Sequence, residues 1–316
     1  MVGKLRVSVG IITFNRPETL KLVLDALKKQ ERTDASQRRE ASTYTGVKHY
    51  LHPYEIIVVD NSTNNETAKL MKRYKNVKYT RVKNRIYQPQ ARNIVINKCN
   101  GDVIAFLDDD AVPEKQWLSS VEESYSDKNV VGVTGPALNC LEPGKPTEKI
   151  VRTNKNRNYF TSYGDVRSDS RRWIPKKPVK CSIMLGANMS FRMNFPEKIH
   201  FDEFYGKDAA FREETDPQVA LIKQGYTFIY NPSALVWHMK FAKGGIRSNP
   251  PENYYYFCGI NHRHFADKYF PRWHSRLSWI FFSLNPPCLW MALALAIIRR
   301  DKNILKWHSG LWYDRK

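Results

Sequence analysis

Cysteine is scarce and poorly placed for cross-linking. The 316 residues hold five, Cys99, Cys140, Cys181, Cys258 and Cys288, an odd number with no C-x-x-C pair. This excludes a disulfide framework and a zinc ribbon and fits a reducing compartment. Glycine, at 15 residues, is too sparse for a collagen-like or glycine-rich low-complexity chain. Neither G-x-x-x-x-G-K-[ST] nor G-x-G-x-x-G occurs, so a glycine cradle for phosphate has no support. The first residues, Met1 to Arg6, run straight into an alternating apolar segment without the basic and apolar regions of a secretion signal. Acids are also under-represented, 31 against 51 Lys and Arg, for a net charge of +20. Such a surplus favours a polyanionic surface, an anionic membrane face or a phosphate-bearing ligand.

What is present reads as globular, since 42% apolar and 13% aromatic residues exclude a disordered tail. At about 150 residues per domain, one large domain or a domain with an appendage is expected. Residues 5–13 form a β-branched run that ends in a turn, and Pro17 suits a first helical position. Leu20, Val23, Leu24 and Leu27 then put one apolar stripe on a helix over 17–30. Residues 31–53 are polar and aperiodic, which predicts a surface insertion. The strand, turn and helix order recurs: strands over 55–60, 77–82 and 103–107, helices over 66–74, 89–99 and 113–124. Alternation of this kind implies right-handed crossovers and a mainly parallel α/β sheet flanked by helices, with ligands outside the carboxyl ends of its strands.

The second half is harder to read. Residues 151–180 are basic and poorly periodic, which predicts a long loop or an excursion over the site. A helix is expected from Thr215, with Gly225 as its stop, followed by a strand over 226–230. Residues 240–316 hold 13 Lys and Arg against 4 acids, and within them 277–298 carry no charge. Pro286-Pro287 breaks that run near its middle, so paired short helices at a membrane interface are expected rather than a full crossing, with burial against the main domain as the alternative.

Three consecutive acids, Asp108, Asp109 and Asp110, end the 103–107 strand. Clustered carboxylates raise one another's pKa unless a cation compensates, so the triplet points to Mg²⁺ or Mn²⁺, against the plainer reading of a solvated turn. Asp60 ends another strand and reads equally as a ligand to a base or ribose and as a turn cap. Glu213-Glu214 opens a helix, where the dipole alone favours carboxylates. His238 is a candidate third metal ligand or a structural histidine.

Together these segments resemble an inverting family 2 glycosyltransferase of the GT-A fold over about residues 5–240. The resembling motifs are VGIITFNRP (9–17), IIVVDNST (56–63), QARNIVINKCNGDVIAFLDDD (90–110), GANMSFR (186–192), FREETD and LIKQGY (211–226). The resemblance implies a GT-A domain over 1–245 with a basic, apolar helical C-terminal region over 246–316. It implies that Thr13, Asn15, Arg16 and Arg92 lie by the nucleotide and diphosphate and that Asp60 binds the base. By the same resemblance Asp108 and Asp109 contact the nucleotide, while Asp110 and His238 hold the metal. Glu214 matches the general base, although the family commonly has Asp there. A glycine frequent before A-R-N is replaced by Asn84-Arg85-Ile86-Tyr87-Gln88-Pro89, which predicts Tyr87 over the nucleotide.

The activity so implied is metal-dependent transfer from a nucleoside-diphosphate sugar, a UDP-sugar first, to a glycan or polyprenyl-phosphate-linked acceptor. The basic C-terminal region predicts an enzyme in the cytoplasm, peripheral on the inner membrane face and drawn to anionic lipid. A sugar-nucleotide pyrophosphorylase is the alternative enzyme, but TFNRP offers one arginine where a glycine-rich basic signature is needed. Nucleic-acid binding through the +20 charge and Tyr254-Tyr255-Tyr256 is the alternative of another class. No binding motif accompanies it, so no specific nucleic-acid partner is expected.

Overall fold

The computed structural model describes residues 5–31, 55–161, 166–194, 198–206, 209–240 and 254–271. Most of the predicted insertion, residues 32–53, and the uncharged run 277–298 lie outside them. The first half alternates as expected: β1 (Val7–Thr13), α1 (Pro17–Leu27), β2 (Glu55–Asp60), α2 (Glu66–Met71), β3 (Val77–Arg81), α3 (Gln88–Lys98) and β4 (Val103–Asp108). Next come β5 (Ala111–Pro113), α4 (Trp117–Ser124), β6 (Val130–Thr134), β7 (Ala137–Glu142), β8 (Lys145–Pro146), β9 (Asn158–Phe160), β10 (Val166–Ser168), β11 (Val179–Cys181) and β12 (Asn188–Arg192). A 3₁₀ turn (Glu203–Gly206), α5 (Thr215–Lys223), β13 (Thr227–Tyr230), β14 (Val236–Met239) and α6 (Tyr254–Tyr269) complete the described chain.

Eight strands form the main sheet in the order β11-β13-β6-β12-β4-β1-β2-β3. β1 pairs parallel with both β2 and β4, and β2 with β3, the expected crossover pattern. β6 and β13 also run parallel, whereas β12 is antiparallel to both neighbours and joins the two parallel groups. Side-chain alternation sorts β4 onto two cores. Val103, Ala105 and Leu107 pack with Leu20, Val23, Leu24 and Leu27 of α1, while Ile104 and Phe106 pack with Ala91 and Val95 of α3. Each fully buried aliphatic on those stripes contributes about 1.5–3 kcal/mol, which is why the two helices lie on opposite faces of the sheet.

Three expectations are corrected. The helix predicted over 113–124 starts at Trp117, because 111–113 is drawn into a second sheet of order β5-β14-β7-β8. The 151–180 segment is no open loop. Trp173, fully buried, stacks on Tyr230 at 4.3 Å and its indole donates to the Thr153 carbonyl at 2.8 Å. Strands β9 and β10 form a hairpin beside it. Tyr87 is not among the residues that line the cleft and packs against Gly206, where a Cβ would meet it at 2.6 Å. Gly225, at φ 90°, ends α5 as expected, a backbone conformation that costs other residues a Cβ clash.

Beyond residue 245, α6 packs on the same body: Phe265 joins Tyr205 and Val219 in a small core. Among the described residues no helix is long and apolar enough to cross a membrane. Cys99, Cys140, Cys181 and Cys258 are free thiols.

Candidate active site

The sheet register assembles the site. Thr13 sits opposite Asp60, and Ile12 opposite Asp108, so three strands end their carboxyl edges at one level. Pairing of β14 with β5 sets His238 against Ala111, and the Met239 N–H donates to the Asp110 carbonyl at 2.8 Å. A histidine 128 positions after Asp110 in the chain thereby faces it. Its Nε2 lies 3.6 Å from Asp110 Oδ1 and 4.0 Å from Asp108 Oδ2.

These three side chains form a cluster whose ligand atoms all fall within 4.8 Å of one another. The residues fit a divalent cation. Asp110 Oδ1 is buried and has no hydrogen-bond partner, although it points into the cluster. Burial, followed by the neighbouring Asp108 charge, raises the Asp110 pKa, a cost that a bound cation offsets. Two carboxylates and one imidazole suit Mg²⁺ or Mn²⁺, and Asp108, more exposed than Asp110, leaves the outer side open to a ligand. The cluster therefore draws in Asp108 alongside the expected pair Asp110 and His238.

Asp109 points the other way. Its carboxylate accepts from Thr13 Oγ1 at 2.8 Å and the Phe14 N–H at 3.4 Å, and pairs with Arg16 at 3.3 Å. Burial, with Asp110 alongside, pushes it up to about 7. Arg16 reaches on to Asp110 at 2.5 Å. Burial works against the guanidinium charge, yet Asp109 and Asp110 hold its pKa above the ordinary arginine value. Thr13, Arg16, Asp108, Asp109 and Asp110 all line one cleft, which opens to solvent.

Two expected residues stand back from that cleft. Asn15, at φ 54°, exchanges hydrogen bonds with Thr63 and ties the β1–α1 loop to the β2–α2 loop. Asp60 is fully buried, and its two oxygens accept from the Ser62 N–H at 2.8 Å and the Tyr79 hydroxyl at 2.6 Å. In this arrangement it caps the turn.

Glu214 lines the same cleft, together with Arg92. Arg92 lies between the rings of Phe106 and Phe201, 5.3 Å from each, and pairs with the buried Glu213 at 3.3 Å. The acidic pair thus divides: Glu213 balances Arg92, and Glu214 faces the cleft. Gly186 makes room for it, because a Cβ there would fall 1.9 Å from Glu214 Oε2. The longer Glu in place of Asp is accommodated by that missing side chain.

Arg171, Gln88 and Ala210, to which the sequence assigned no role, also line the cleft, as does Tyr254, which the sequence offered only as a nucleic-acid stacking residue. Arg171 is placed by the 169–172 segment running along β7, where Ala137 N–H donates to the Ser170 carbonyl at 2.8 Å. Its guanidinium donates to Asn139 at 2.8 Å and approaches His238 Nδ1 at 3.4 Å. The only sequence signal for it was the basic character of the segment. Gly186 had a clearer one, as the first residue of GANMSFR.

An α/β sheet with clustered carboxylates at its carboxyl edge, cationic side chains beside them and a further carboxylate, Glu214, in the same cleft has the make-up of a group-transfer enzyme. The family model for glycosyl transferase family 2 matches residues 8–185, more than half of the chain, and the protein belongs to that family of glycosyltransferases. The chain is 24% identical over 239 residues to the O-antigen chain rhamnosyltransferase RfbN of Salmonella typhimurium, covering 74% of this chain and 66% of that protein. It is 27% identical over 133 residues to a hyaluronan synthase of Pasteurella multocida, covering 41% of this chain and 12% of the synthase. The chain thus spans less than two thirds of either relative. In fold it is similar to GalNAc-T7 with UDP, GalNAc and Mn²⁺, at TM-score 0.59 and 17% identity over 82% of this chain and 48% of that one. It is also similar to residues 1–349 of Staphylococcus aureus TarS in complex with UDP-GlcNAc, at TM-score 0.58 and 13% identity over 97% and 80%.

Proposed function

We propose that the protein transfers a sugar from a nucleoside-diphosphate sugar, a UDP-sugar first, to an acceptor hydroxyl or phosphate, with inversion at the anomeric carbon. The observation that carries this reading is the cleft itself, which is lined by the cluster of Asp108, Asp110 and His238 and also by Glu214. UDP and UDP-GlcNAc in the similar folds support the donor class, and Mn²⁺ in one of them supports the metal.

Asp108, Asp110 and His238 would hold Mg²⁺ or Mn²⁺, which supplies Lewis-acid stabilisation of charge on a departing diphosphate. Arg16 and Arg171 add fixed positive charge on the same side, preorganised by Asp109 and Asn139. Thr13 and Asp109 shape the floor under the nucleotide, Asn15 and Asp60 hold the two loops that flank it, and Arg92 fixes the acidic pair. Glu214 takes the proton of the acceptor hydroxyl as that oxygen attacks from the face opposite the leaving group, hence inversion. The acceptor is a glycan or a polyprenyl-phosphate-linked sugar, met at an anionic cytoplasmic membrane face to which the basic C-terminal region is drawn.

Calorimetric titration of UDP, GDP and dTDP, each with and without Mn²⁺, tests the reading on wild type and Asp110→Ala. One nucleotide is expected to bind only with the metal, and the variant to lose it. Binding of none, in either condition, removes the proposal's main support.

A further inference from the structure

The loop that carries Glu214 is tied down by α6 rather than by the strands that carry the aspartates. Asn261, buried, donates its side-chain amide to three carbonyls, those of Ala209 at 2.7 Å and of Tyr205 and Phe211 at 3.3 Å. One amide thus ties together the segment that leads into the acidic pair. The next residue, His262, is 1% exposed, and its Nδ1 lies 3.3 Å from Arg212 Nη2. Arg212 can only donate, so Nδ1 accepts and the imidazole is neutral.

Arg212 is the residue that needs holding. Its φ of 71° lies in the left-handed region, which a bulky side chain adopts only where its surroundings over-determine it. The same turn starts α5, because the Arg212 carbonyl accepts from the Thr215 and Asp216 N–H groups at 3.1 and 3.0 Å. Glu214 sits inside that turn. The Arg212 guanidinium lies over Phe265 at 5.2 Å, again a residue of α6. This helix begins at the cleft, where Tyr254 forms part of the wall.

We infer that Asn261 and His262 are positioning residues: α6 braces Tyr205 and residues 209–214, with the strained turn at Arg212, so that Glu214 is held in the cleft. The inference rests on Glu214 as the base. The brace converts binding of nucleotide into a productive complex without touching the nucleotide, so its loss separates the two.

The test uses the full chain with Asn261→Ala, His262→Leu and His262→Asn, whose amide oxygen offers an acceptor where Nδ1 stands. Hydrogen exchange of the 209–214 amides is expected to rise about tenfold or more in the first two variants while β1 and β4 stay protected. The affinity for UDP with Mn²⁺ stays at the wild-type value. With the donor identified by the nucleotide titration, kcat falls about tenfold or more at unchanged donor KM. His262→Asn restores both exchange and kcat. Unchanged exchange in 209–214 overturns the inference, as does a rise spread through the sheet or a loss of UDP affinity in step with kcat. Full activity of Glu214→Gln would instead sink the assignment of the base and leave the exchange result standing, so the two failures are distinguishable.

Discussion

Residue by residue, the site is a set of charges that burial makes expensive and geometry makes useful. Glu214 and Glu213 are neighbours with different tasks, one facing the cleft and one spent on Arg92. Replacing the first by Gln keeps its shape and removes its basicity, so transfer is expected to fall by about 10²–10⁴-fold. UDP–Mn²⁺ affinity should be unchanged; calorimetry beside a turnover assay measures both. Gly186→Ala probes the same carboxylate from its other side. The added methyl occupies the position of Oε2, so kcat is expected to fall about tenfold or more while the fold holds, as read by turnover and thermal unfolding. The aspartate triplet was legible in the sequence because three adjacent acids after an apolar run have few inexpensive explanations. Gly186 stood in a legible motif, but its task did not show there, since it depends on a side chain 28 positions away.

Among the elements, the decisive one is β14. It brings His238 to the aspartates by pairing with β5, a three-residue strand too short to show a period of its own and lying where the sequence pattern places the start of a helix at residue 113. The β1-to-β4 half was readable because each strand and helix there shows its own period. Strands β5 to β8 were not, being short and fixed by partners far along the chain. The 151–180 segment shows the same contrast, since its charges advertise solvent while Trp173 anchors it. Trp173→Ala empties a fully buried site stacked on Tyr230 and should cost about 3–5 kcal/mol, measured by urea unfolding. Residual activity in that variant is expected to show weaker nucleotide binding, because Arg171 loses its support.

For the whole molecule, charge and its linkage to folding make two further expectations. Burial, with the Arg212 charge beside it, holds the His262 pKa well below its ordinary 6.5. The unfolded chain then binds a proton that the folded one refuses, so stability falls as the pH drops below about 6.5. The midpoint of thermal unfolding should decline from about pH 7 to about pH 5, and less steeply in His262→Asn, which does not titrate. At +20, the chain is also expected to bind vesicles rich in anionic lipid at about 0.15 M salt and to release them as salt rises. Co-sedimentation of wild type and of a chain lacking 277–316 measures it. If neither binds, the membrane part of the proposal is withdrawn.

From the sequence alone came the alternating α/β plan, the acids at the strand ends and the order of motifs that marks the family, because those signals lie within runs of ten or so residues. Tertiary structure decided what no local run encodes. It brought Asp108 into the cluster with the expected Asp110 and His238, divided the two glutamates, and set Asp60 and Asn15 to work on loops. It also laid α6 against the loop that carries Glu214. Each of these depends on pairing between segments dozens of residues apart, where register and burial, rather than periodicity, determine which side chains meet.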